Sequence, residues 1–101
     1  MKKSEIQKVI LDALIMTNHA READAQIPVS ETTALYGKAG HLDSMALVAF
    51  LVDIEEALLD RDLQITLSDE RAMSQTRSPF RDVPSLTDYI EGLVKEQLGA
   101  Q

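Results

Sequence analysis

The run Asp43–Asp60, DSMALVAFLVDIEEALLD, constrains this chain most, because it holds neither Gly nor Pro. Those two residues disfavour a helix interior most strongly, so nothing in the run interrupts one. Leu47, Leu51, Ile54 and Leu58 fall at i, i+4, i+7 and i+11, with Phe50 beside them. This spacing predicts an amphipathic central helix whose apolar stripe enters a core. Asp43 is placed as its N-cap, where a carboxylate accepts hydrogen bonds from the first turn.

The flanking segments predict two further long helices. Ser4 with Gln7 matches a capping box, and Ile6, Val9, Ile10, Ala13 and Leu14 then recur at helical spacing as far as Thr17–His19. Ser85 with Asp88 opens a closing helix carrying Leu86, Tyr89, Ile90 and Leu93, and the tail 96–101 is expected to fray. Between the first two helices lies a long loop, 20–43, broken by Pro28, Gly37 and Gly40 and anchored by Ile27, Val29, Leu35 and Leu42. An irregular connector, 60–84, alternates Leu63, Ile65 and Leu67, and Ser68 opens a short helical turn through Met73 before Ser78-Pro79 breaks it. The layout is all-α, a small helical bundle, and 101 residues make one domain, 1–101, the natural expectation.

Charge and cysteine content narrow the function. Ten Lys and Arg against 17 Asp and Glu give a net charge of -7, which disfavours phosphate-backbone binding and favours basic protein partners. No nucleic-acid partner is expected. With no cysteine there is no disulfide, no cysteine nucleophile and no cysteine-based zinc site, which fits a reducing cytoplasm. The early KKSEIQK interrupts any secretory apolar region, and the run Met45–Val52 is far shorter than the ~20 residues of a membrane span, so no membrane insertion is expected.

The chemistry-bearing position is Ser44, immediately after the cap. A helix start leaves backbone N–H groups unpartnered and carries partial positive charge, which suits a phosphate on the first residue. Asp43 caps the backbone and leaves a carboxylate at the rim for a basic partner. Met45, Val48, Ala49, Val52, Glu55 and Glu56 fall on the outward side of the same helix. Met45, Val48 and Val52 could either complete a wide buried face or meet partners, and Glu55 and Glu56 could be ordinary solvated charges.

The stretch Gly40-His41-Leu42-Asp43-Ser44-Met45, continued by Leu47, Val48, Phe50, Leu51, Ile54, Glu55 and Glu56, resembles the acyl carrier and peptidyl carrier proteins. Asp43-Ser44-Met45 is a variant of that family's Asp-Ser-Leu; the first helix and the closing VPSLTDYIEGLV also fit, and the connector after Asp60 fits least. The resemblance implies a four-helix bundle with a short third helix. It implies that a phosphopantetheinyl transferase attaches 4'-phosphopantetheine from coenzyme A to Ser44, with Asp43 helping recognition. It further implies that acyl or aminoacyl groups ride on the arm as thioesters for fatty-acid, polyketide, nonribosomal peptide or other specialised biosynthesis, and that the carrier is cytoplasmic and monomeric. Met45, Val48, Val52, Glu55 and Glu56 become its partner surface, and the chain itself is no enzyme.

Two features depart from the housekeeping pattern. Ala46 and Ala49 stand where bacterial fatty-acid carriers usually have acids, and the connector holds Arg71, Arg77 and Arg81. Fewer charges beside Ser44 shift recognition from electrostatic steering towards apolar contact, as expected of a dedicated carrier with its own ligase. Three other readings rest on the same residues. His41, Asp43 and Ser44 have the residue types of a nucleophilic triad but crowd into one short segment with no oriented base. His19 and His41 lack metal-ligand spacing, so neither a catalytic nor a metal site is expected. An acidic helical adaptor that never receives an arm is the main alternative.

Overall fold

Among the described residues there are three long helices, α1 (Lys3–His19), α2 (Ser44–Leu59) and α3 (Val83–Gly99), and one 3₁₀ turn at Ala23–Ala25. The computed structural model describes residues 2–37, 40–67 and 79–99, without the side chains of 98 and 99. Among these there is no strand, only two isolated bridges, Ala34 with Asp82 and Tyr36 with Leu42. The short third helix expected at Ser68–Met73, with Arg71 and Arg77, lies outside the described residues.

Each helix buries the stripe that its period dictates. Ile6, Val9, Ile10, Ala13 and Leu14 of α1 and Leu47, Phe50, Leu51, Ile54 and Leu58 of α2 are all buried. α1 packs against both α2 and α3. On α3 the buried set is Val83, Leu86, Thr87, Ile90 and Val94. Tyr89 and Leu93, expected in the stripe, are half-buried at its edge, Tyr89 meeting Phe80 edge-to-face at 6.0 Å. Lys3 Nζ lies 2.6 Å from Asp88 Oδ1 and joins α1 to α3 at the surface. The hydrogen bond and the charge of that carboxylate raise the Lys3 pKa.

Helix ends are where the structure corrects the sequence reading. The box expected at Ser4 and Gln7 starts earlier: Lys2 is the N-cap, and its backbone N–H donates to Glu5 Oε1 at 3.2 Å. A carboxylate in the first turn also meets the positive end of the helix, which the Gln7 amide does not exploit as a charge. Asp82, not Ser85, caps α3, its Oδ1 accepting from the Ser85 N–H at 2.8 Å. Pro84 then falls in the first turn, where its missing N–H costs no helical bond. In the tail expected to fray, α3 is helical as far as Gly99, and Gln97 Nε2 donates to the Gln64 carbonyl at 3.2 Å.

The long loop is held by its own polar bonds. The Asn18 amide donates to the Ile27 carbonyl at 2.9 Å and accepts from the Ile27 N–H at 2.8 Å, which turns Ile27 into the core. Leu35 and Leu42 are buried as expected, but Val29 is 41% exposed. Thr33 goes inward instead, because its Oγ1 donates to the Pro28 carbonyl at 2.6 Å and also bonds Ser30 Oγ. In the connector Leu63, Ile65 and Leu67 are buried while Gln64 and Thr66 are exposed, the alternation of an extended segment lying on a core.

Candidate functional site

The head of α2 is fixed by two neighbouring segments. Residues 33–36 run beside the start of α3: Leu35 N–H donates to the Arg81 carbonyl at 2.8 Å, Tyr36 N–H to Phe80 at 3.1 Å, and Val83 N–H to Thr33 at 3.0 Å. On its other side the same segment accepts from Leu42 N–H through the Leu35 carbonyl at 2.8 Å. Leu42 lies two residues before Ser44 and is buried, so the chain enters the helix from an anchored point. The starts of α2 and α3 are thereby joined through one short piece of loop.

Gly40 makes that approach possible. A Cβ at this position would stand 2.5 Å from the Leu35 carbonyl oxygen, and the obstacle is backbone that cannot rotate away. Gly40→Ala is expected to lower stability by roughly 1–3 kcal/mol, the range for overpacking a fitted site, read as an earlier urea midpoint. The Leu42 to Leu35 bond should weaken with it, seen as faster amide exchange at Leu42. Unchanged exchange at Leu42 would contradict the account.

Asp43 is the N-cap, extended at φ -84° and ψ 179°, and its Oδ1 accepts from the Ala46 N–H at 2.8 Å. The Leu47 N–H is taken by the Asp43 carbonyl at 2.9 Å. Among the described residues no partner takes the backbone N–H of Ser44 or of Met45. Ser44 is the first residue of α2 and is exposed, and nothing covers Met45, which is 84% exposed. A small hydroxyl in open solvent thus stands at the positive end of a helix beside two unpaired donors. A phosphodiester on Ser44 Oγ fits this setting, since both N–H groups and the helix end favour negative charge there.

The outward face of α2 divides into two flanks. Val48 and Val52 are exposed at 40% and 38%, and with Met45 and Leu59 they make an apolar line at i, i+3, i+7 and i+14. Leu59 was missed from the sequence, although the same period points to it. Asp53, Glu56 and Asp60 occupy the other flank and are exposed. Ala46 is half-buried against the core, whereas Ala49 is exposed. Glu55 differs from its neighbour: it is half-buried and its Oε1 accepts a short bond from the Leu67 N–H. That bond holds the connector against α2, leaving a groove of about 420 Å³ lined by Val52, Glu55, Leu59, Leu63 and Ile65.

His41 is exposed in the loop and His19 lies in the last turn of α1. Among the described residues no group of three or more His, Asp or Glu side chains could hold a metal ion. Arg81 bonds Ser85 Oγ through Nε at 3.0 Å and lies 3.7 Å from Asp82 at the cap of α3. No described helix is long and apolar enough to cross a membrane. Comparisons with protein-family models, with curated proteins and with solved structures give no match.

Proposed function

We propose that this protein is a carrier of the acyl or peptidyl carrier kind, with Ser44 as the attachment point for 4'-phosphopantetheine donated by coenzyme A. The observation that carries the reading is Ser44 itself, exposed as the first residue of a capped helix beside the unpartnered N–H groups of Ser44 and Met45. When attached, the arm supplies a terminal thiol that holds acyl or aminoacyl groups as thioesters, chemistry that a chain without cysteine lacks. The residues of the chain position and recognise. Ser44 offers its Oγ, and the α2 N-terminus stabilises the phosphodiester charge. Asp43 keeps the cap closed through Ala46 and turns its rim towards the transferase. Met45, Val48, Val52 and Glu56 form the surface met by loading and downstream enzymes, while Glu55 keeps the connector in place. On this reading the chain is a cytoplasmic, monomeric, single-domain carrier, and Ala46 and Ala49 beside the site favour a specialised pathway with its own ligase over steering to general partners.

Incubation with a phosphopantetheinyl transferase and coenzyme A should add the mass of one arm to the intact chain, mapped to the peptide holding Ser44. The exposed line Met45, Val48, Val52 and Leu59 also suits an adaptor that works by contact alone. No mass gain would leave that second reading standing in place of the carrier.

A further inference from the structure

All the sulfur in this chain is thioether sulfur, since it has four methionines and no cysteine. Met16 and Met45 lie among the described residues, and both are exposed. Met45 is the more open, 84% against 59%, and it follows Ser44 directly. Its place in the helix explains why. Helical side chains lean towards the N-terminus and rest on the turn before their own, but Met45 is the second residue of α2 and has no such turn beneath it. Ala49, the neighbour at i+4, is too short to cover it from the other side.

An open thioether differs from an open leucine in its chemistry. A sulfur lone pair attacks one oxygen of a peroxide; the S–O bond forms as the O–O bond breaks, and the second oxygen leaves as water. Sulfur loses two electrons and the peroxide gains them. The product, methionine sulfoxide, is polar, and a reductase returns it to the thioether, a dithiol becoming a disulfide and the oxygen leaving as water. At Met45 this change falls on the apolar line with Val48, Val52 and Leu59, while the core stripe Leu47, Phe50, Leu51, Ile54 and Leu58 is buried on the other face.

We propose that Met45 is a redox-sensitive site: reversible oxidation of its thioether by a peroxide prevents enzymes from engaging the head of α2, so that arm attachment at Ser44 slows while the fold stays intact. This rests on the carrier reading and adds a regulation of the same site. An enzyme that covers Met45 with an apolar patch must bury the sulfoxide oxygen as well, and a buried polar group without a partner weakens the contact. Ala46 and Ala49 supply no charge to replace the apolar contact that is lost.

The test treats the unmodified full chain with hydrogen peroxide, removes the peroxide, and then adds a phosphopantetheinyl transferase and coenzyme A. Peptide masses should show one oxygen added at Met45 before Met16. The thermal melt of that product should match the untreated chain, and its rate of arm uptake should fall about tenfold, the scale of one unpaired polar group in a contact. A pair of methionine sulfoxide reductases, one for each sulfoxide epimer, should restore the rate with a dithiol. Met45→Leu, set against its own untreated rate, should lose nothing on treatment, whereas Met16→Leu should lose as much as the parent. Oxidation of Met16 ahead of Met45, undiminished uptake by the Met45 sulfoxide, or an equal loss in Met45→Leu would overturn the proposal. Failure of the untreated chain to take up an arm is a separate result: it removes the carrier reading, and this regulation with it, whatever the order of oxidation.

Discussion

Ser44→Ala is expected to take up no arm from coenzyme A and a transferase, while its unfolding midpoint stays within about 0.5 kcal/mol of the parent, as for an exposed substitution. The contrast follows from how the two neighbours are used. Ser44 is exposed and its hydroxyl bonds nothing in the described chain, so its removal takes away an acceptor for the arm and no fold contact. Asp43 instead holds the Ala46 N–H at 2.8 Å. Asp43→Ala should cost roughly 0.5–2 kcal/mol, the range for an N-cap, and slow arm attachment without abolishing it. Intact-mass time courses beside urea curves separate the two roles: chemistry without stability at 44, stability with partial chemistry at 43. Full arm uptake by Ser44→Ala would move the attachment point elsewhere and end the carrier assignment.

The exposed, Asp43-capped helix start at Ser44 was legible in the sequence because its signals are local. An N-cap carboxylate and the helix that follows lie within a few positions, and the 3.6-residue period of α2 picks out Leu47, Phe50, Leu51, Ile54 and Leu58 as the core stripe, whereas Met45, Val48 and Val52, open to either a wide buried face or partner contact, are placed outside only by the fold. Leu63, Ile65 and Leu67 were equally readable, since alternation survives in an extended segment. Caps were less so. Ser85 satisfies the pattern as well as Asp82 does, and Ser4 fits it better than Lys2, whose ammonium accepts nothing; at α1 only the Glu5 half of a box forms, onto the Lys2 N–H.

Other features depend on partners distant in the chain. Val29, expected as an anchor, is exposed, while Thr33 is buried because its Oγ1 finds the Pro28 carbonyl and Ser30. Glu55 and Glu56 are adjacent and identical in type, yet the Leu67 N–H donates to Glu55 and not to Glu56. Periodicity assigns both to the outside and has no means to tell a strut from a free charge. The shallow groove where α1 meets α2 is the extreme case: Asp12 comes to line it with Asp53, Glu56 and Asp60 only when the two helices pack.

Phe50→Ala should be the most destabilising substitution in α2, at about 3–5 kcal/mol. Phe50 is fully buried on the central helix and is one of two phenylalanines in a chain without tryptophan, so the core is otherwise mostly aliphatic. Truncation loses the transfer energy of the ring and leaves a cavity that the neighbouring branched side chains fill only by moving off their rotamers. A domain of this size has only about 5–15 kcal/mol in all, so the melting temperature should fall by more than about 10 °C. Met45→Ala, on the opposite face and 84% exposed, should change stability by no more than about 0.5 kcal/mol. Circular dichroism melts of the two variants therefore measure the two sides of α2 directly. If Phe50→Ala cost less than about 1 kcal/mol, or Met45→Ala cost as much, the helix would be rotated from the orientation that exposes Ser44, and the surface assigned to partners would belong to the core.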